Sequence, residues 1–157
     1  TPDSTATAGL WQAMTMGFLL DTNVLSELMR ETPNPSVTAW LDSRAIHQLQ
    51  TSTVSQAEIL AGIAVLPAGK RREVLANGAD QIFQKDFKGR CIVFGSAAAE
   101  HYALVRAQRQ SAGRPITTED AQIAAMALAA NLTLVTRNTK DFEGIEGLQL
   151  INPWQPH

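Results

Sequence analysis

Residues 18–28 read FLLDTNVLSEL. Phe18, Leu19 and Leu20 form an apolar run of strand-like length that leads straight into Asp21, and Val24, Leu25 and Leu28 then recur at helical spacing. A carboxylate where a buried strand meets a helix needs a reason, because an uncompensated charge there costs free energy. The pattern predicts a strand over 17–20 and a helix over about 23–30, capped by Thr22 or Asn23. Asp21 then stands at the strand's carboxyl end.

The same alternation runs through the chain. A second helix is expected over 35–43, with Val37, Trp40 and Leu41 on one face, followed by a short strand in HQLQTSTV. Ile59, Leu60, Ile63 and Leu66 mark a third helix that Pro67 and Gly69 end. A fourth runs over 70–87, a strand lies in CIVF, and an alanine-rich helix spans 96–111. After the loop AGRP come the helical stretch TTEDAQIAAMALAA, the strand LTLVT and the strand LQLI. Short apolar strands alternating with helices are the signature of a parallel sheet covered on both faces. In such sheets the working site lies beyond the carboxyl ends of the strands, where strand order switches. Asp21 is therefore expected to lie exposed on the floor of a crevice, near Thr136, Arg137, Asn138 and Asp141, which follow LTLV.

Bulk properties narrow the class. The chain has 157 residues, 45% of them apolar and 18% charged, enough for one domain with a real core. Its net charge of −2 advertises no nucleic-acid partner, so such a partner must be argued from a local site. One cysteine, Cys91, excludes a disulfide scaffold and fits a reducing, cytoplasmic compartment. No apolar run approaches ~18 residues, so no membrane-spanning segment is expected. Residues 1–15, TPDSTATAGLWQAMT, lack the basic region of a signal peptide and any strand or helix period. They read as an N-terminal extension or tag remnant, and 16–157 as a single domain.

Four acids stand at element ends: Asp21, Glu58, Asp120 and Asp141. Each has a structural alternative. Ser55-Gln56-Ala57-Glu58 matches a capping box, Asp120 in a first helical turn favours the helix dipole, and Asp141 suits a turn. Taken together, clustered carboxylates repel unless a cation joins them. Mg²⁺ takes oxygen ligands, commonly one or two carboxylates with waters and substrate phosphates. His47, His101 and His157 are scattered and Cys91 stands alone, which argues against zinc. A divalent ion of this kind suits phosphodiester hydrolysis by an activated water. Phosphate contacts would come from Lys or Arg: Lys70-Arg71-Arg72, the group Arg106, Arg109 and Arg114, or the preferred pair Arg137 and Lys140 beside Asp141.

The combination LLDTNVLSEL, SQAEILAGI, ITTEDAQIAAMAL, LVTRNTKDF and INPW resembles the PIN-domain ribonucleases, in particular the VapC/FitB-like toxins of bacterial toxin–antitoxin pairs. The resemblance runs from about Met16 to Trp154. It implies a three-layer α/β/α domain with a central parallel sheet of about five strands. The family's acids fall on Asp21, Glu58 and Asp120. Its fourth falls on Asp141, because Asn138 stands where many relatives have an aspartate. Asn23, Thr136 and Asn138 are implied as supporting residues. The resemblance also implies a Mg²⁺- or Mn²⁺-dependent endoribonuclease acting on tRNA or rRNA, a homodimer, a cognate VapB/FitA-like antitoxin, and operator DNA reached only through that antitoxin. Two rival readings remain open from the residues: a metal-dependent phosphohydrolase of a small phosphate ester, and a non-enzymatic, acid-lined receiver or binding module.

Overall fold

The computed structural model describes residues 17–155. The extension over 1–15, with Met16 and His157, lies outside them. In chain order the elements are β1 (Phe18–Leu20), α1 (Thr22–Leu28), α2 (Pro35–Asp42), a 3₁₀ turn (Ile46–Gln48), β2 (Leu49–Ser52) and α3 (Thr53–Ala64). Then follow α4 (Lys70–Asp80), which runs on into a π-helical turn (Gln81–Asp86), β3 (Cys91–Ile92) and α5 (Ser96–Ser111). The chain continues with α6 (Thr118–Ala129), β4 (Thr133–Val135), the four-residue α7 (Thr139–Phe142) and β5 (Leu150–Ile151). Among the described residues no helix is long and apolar enough to cross a membrane.

The five strands form one parallel sheet in the order β3-β2-β1-β4-β5. Successive strand residues point to opposite faces, and that alternation builds two cores. Leu20 and Val135 pack with Val24, Leu25, Val37, Ile59 and Phe83 under the helices of the first half. Leu19 and Leu134 pack with Ala98, Val105, Ile123 and Phe142 under those of the second. The result is the expected three-layer α/β/α arrangement. The strands divide by sequence half: β2 and β3 lie to one side of β1, and β4 and β5 lie to the other.

That order places the switch between β1 and β4. Leu20 pairs with Val135 in register, so the next residue of each strand, Asp21 and Thr136, emerge side by side. The Asp21 amide donates to the Val135 carbonyl at 2.9 Å. In open parallel sheets this is where a ligand crevice forms.

Two local expectations differ. Helix α1 is capped by Asp21 itself, whose side chain accepts from the Thr22 amide, and not by Thr22 or Asn23. Helix α3 starts earlier than the capping-box reading requires: Ser52, the last residue of β2, is its N-cap and accepts from the Ser55 amide. Glu58 therefore sits more than a turn inside the helix, free of any capping role. Gly78 lies inside α4, where a Cβ would meet Met29 at ordinary van der Waals distance, 3.6 Å.

Candidate active site

Asp21 is held by donors on both oxygens. Oδ1 accepts from the Thr22 amide at 2.8 Å, and Oδ2 accepts from the Thr136 hydroxyl at 2.8 Å and the Asn23 amide nitrogen at 3.4 Å. The expectation of an exposed Asp21 is corrected: it is 4% exposed, although it lines the cleft. These hydrogen bonds are what allow the charge to sit so deep. Burial nevertheless raises its pKa above the ordinary aspartate range, more than the Thr136 and Thr22 bonds lower it, and the Asp141 charge adds to the rise.

Thr136 organises the ends of both strands. It is fully buried. Its hydroxyl donates to Asp21 and accepts from the Asn23 side chain at 3.2 Å and the Asn138 amide at 3.1 Å. Asn23 is fixed from its other end as well, where Oδ1 accepts from the Arg137 amide at 3.2 Å.

Glu58 comes from α3 and Asp120 from the first turn of α6. Both face the cleft of about 520 Å³ that Asp21 lines, together with Asn23, Arg137 and Asn138. Glu58 lies within reach of the Thr22 hydroxyl at 3.2 Å, and Ser55 Oγ competes for the same proton at 2.8 Å; a hydroxyl has one proton to give. Burial raises the Glu58 pKa, the Thr22 bond lowers it, and the charges of Asp21, Glu119 and Asp120 raise it. For Asp120, burial is again the largest cause and the Asp21 charge the next, with Thr117 opposing them. Thr117 also caps α6, its hydroxyl accepting from the Asp120 amide at 3.2 Å.

Asp141 stands apart from these three. It is exposed in α7 and does not line the cleft, although its charge is felt at Asp21 and Asp120. Lys140 is exposed and outside the cleft lining too. Arg137 is at the cleft, its guanidinium 5.2 Å from the centre of the Trp154 ring. The periodicity of the sequence did not place Trp154, Glu27 or Arg30 at the cleft, yet all three line it. Glu27 is buried, paired with Arg30 at 3.2 Å and accepting the Asn34 amide at 2.9 Å. The only available signal for Trp154 was the INPW ending.

Among the described residues no three Asp, Glu, His or Cys side chains close into a ready metal cage. What the cleft offers is an all-oxygen donor set in which three carboxylates depress one another's ionisation. That chemistry fits a hard divalent cation bound by one or two carboxylates and water and does not fit a closed thiolate or imidazole site.

The pKa directions carry a linkage consequence. Asp21, Glu58 and Asp120 are all raised, so the folded protein binds protons more readily than the unfolded chain, and stability falls as pH rises through the raised values. Without divalent cations the melting temperature should therefore rise as the pH is lowered from neutral towards the ordinary carboxylate range. Millimolar Mg²⁺ or Mn²⁺ should raise it at neutral pH and flatten that slope. Thermal scans with EDTA or with the cation check this; a slope of the opposite sign between the same pH values would contradict the raised pKa values.

A family model described as PIN domain matches residues 18–148. The chain is 40% identical over 138 residues to "VapC ribonuclease Y4jK" of Sinorhizobium fredii, covering 88% of this chain and 98% of that protein. It is 38% identical over 136 residues to "Toxin FitB" of Neisseria gonorrhoeae, covering 87% and 97%. The structure titled "Structure of FitAB bound to IR36 DNA fragment" superposes with a TM-score of 0.81 at 36% identity, covering 89% of this chain and 97% of that one.

Proposed function

The chain belongs to the PIN domain family, and from that premise we propose that it is the toxin of a toxin–antitoxin pair, an endoribonuclease that hydrolyses RNA phosphodiester bonds. The observation that carries the reading is the meeting of Asp21, Glu58 and Asp120, from three separate elements, in one cleft at the switch point of the sheet. Similarity to a protein named a ribonuclease and to one named a toxin supports it.

Asp21 is the principal ligand of a Mg²⁺ or Mn²⁺ ion, with Asp120 and Glu58 next to it. Asp141 acts from further out by its charge. When bound, such an ion lowers the pKa of water and offsets charge on a leaving oxygen. Thr136 and Asn23 keep the Asp21 carboxylate in one orientation, and Asn138, tied to Thr136 through its amide, lines the opening. Arg137 offers a phosphate contact at the cleft mouth, steadied against Trp154. Lys140, outside the cleft, contacts phosphates beyond the scissile one. The rival phosphohydrolase, if built on a haloacid-dehalogenase-like nucleophile site, would carry a second aspartate at position 23. Asn23 instead donates to Asp21 and Thr136, which is a positioning role.

The same reading takes tRNA or rRNA as the substrate class, a homodimer as the working form in the cytoplasm, and a VapB/FitA-like antitoxin as the partner. Operator DNA is bound through that antitoxin. The solved FitAB assembly on DNA supports the last two points.

Asp120→Asn tests the assignment. The Thr117 cap uses the Asp120 backbone amide, so the helix start survives the change. Mg²⁺-dependent cleavage of RNA should fall by about 10²-fold or more, equivalent to losing several kcal/mol of charge stabilisation. Cleavage at the wild-type rate, cleavage insensitive to EDTA, or faster turnover of a small phosphate ester would overturn it.

A further inference from the structure

A second cavity, of about 300 Å³, opens where α5 ends and the loop to α6 begins. Arg106, Arg109 and Arg114 line it, and among the described residues no acidic residue does. Arg109 is 5% exposed. Its Nε donates to the Arg114 carbonyl at 2.8 Å and one Nη to the Glu143 carbonyl at 3.3 Å. Arg106 donates one Nη to the Ile116 carbonyl at 2.9 Å and lies 5.9 Å from the Tyr102 ring centre. Arg114 reaches the carbonyls of Glu143 and Lys140 at 3.3 and 3.4 Å.

Among the described residues every hydrogen-bond acceptor of the three guanidiniums is a neutral main-chain oxygen. Among the described residues no carboxylate forms an ion pair with any of the three guanidiniums; the pair Arg30–Glu27 is elsewhere. Carbonyls satisfy hydrogen bonds but do not neutralise charge, and a buried cation without a counter-ion is costly. Arg109 is the buried one; Arg106 and Arg114 stand at exposed positions beside it, and three like charges around one hollow favour the entry of an anion. Guanidinium forks match phosphate oxygens, and Arg106 keeps nitrogens with no other hydrogen-bond partner among the described residues.

The cavity is also wired to the cleft. Ile116 lines the one and Asp120, four residues on, lines the other, so their Cα atoms are at most about 14 Å apart. Arg114 also holds the carbonyl of Lys140, the residue before Asp141.

We propose that this arginine cavity is a subsite for a backbone phosphate of the RNA substrate, a few nucleotides from the bond that is cut. The proposal rests on the nuclease reading for the identity of the polyanion. It is tested with Arg106→Gln and Arg114→Gln, both at exposed positions, on bulk transfer RNA and on a trinucleotide that fills the carboxylate cleft alone. On transfer RNA, KM should rise several-fold with kcat unchanged, and the slope of log affinity against log salt should shrink by roughly 0.7 for each contact removed. The trinucleotide and the melting temperature should be unaffected. An unchanged salt slope on transfer RNA overturns the subsite. So does an equal loss on both substrates, which assigns the arginines to loop packing. If the wild-type protein cuts no RNA, the nuclease reading fails by itself, and the same slopes taken from binding still decide whether the cavity holds a phosphate.

Discussion

Asp21→Asn should leave a protein that folds at least as well as the wild type and cleaves RNA at least about 10²-fold more slowly. The two halves of this expectation have the same cause. Asparagine is as good an N-cap as aspartate, so its Oδ1 keeps the bond from the Thr22 amide that starts α1. What disappears is a buried negative charge that Asp141 disfavours and that in turn disfavours ionisation of Glu58 and Asp120; the Oδ2 acceptor for Thr136 and Asn23 goes with it, and relief of the buried charge offsets that loss. The melting temperature measured in EDTA should hold or rise. The lost charge is also the one best placed to bind a cation, so several kcal/mol of charge stabilisation goes with it, which is the rate loss quoted. Cleavage assays with Mg²⁺ and thermal scans in EDTA read the two halves separately. A variant that is inactive and also clearly less stable would mean that Asp21 is a structural residue whose loss distorts the cleft.

Thr136→Val should do the reverse, weakening both the fold and the site. Valine matches threonine in shape but lacks the hydroxyl, which makes three bonds: it donates to Asp21 and accepts from Asn23 and from the Asn138 amide. The position is fully buried, so no water replaces those bonds without rearrangement. A buried group left unsatisfied costs about 1–3 kcal/mol, and here a carboxylate loses its closest donor. Cation affinity should fall by about 10–100-fold, the usual penalty for removing a partner that orients a ligand. Chemical denaturation and Mn²⁺ titration measure these effects. Unchanged cation affinity would show that the hydroxyl serves the sheet alone.

Much of this was legible before the coordinates. The strand over Phe18–Leu20, the helix over Ser96–Ser111 and the placement of acids beyond strand ends follow from period and length, because each depends on neighbours along the chain. The Glu58 ambiguity could not be resolved that way. A capping box at Ser55 and a helix begun at Ser52 have the same local letters, and only the parallel pairing of β2 with its neighbours decides where the strand ends. The burial of Asp21 was misread for a related reason. Its compensating donor, Thr136, is 115 residues away and adjacent only through the β1–β4 register. Trp154 arrives at the cleft through a C-terminal turn in which its own amide donates to Asn152 at 2.9 Å and the Pro153 carbonyl accepts from Ser36 at 3.0 Å. No periodic pattern encodes that approach. Asp141, chosen for its place after the fourth strand and as the match to the family's fourth acid, is exposed and outside the cleft lining, and its charge is felt at Asp21 and Asp120.

The proposed binding of a divalent cation by Asp21, Glu58 and Asp120 can be tested by anomalous diffraction from a crystal soaked in Mn²⁺. A single strong peak is expected within coordination distance of a carboxylate oxygen of Asp21, on the side facing Asp120, and it should be lost in Asp21→Asn. A crystal at saturating Mn²⁺ with no peak in the cleft, grown from protein that cleaves RNA in the same solution, would contradict it.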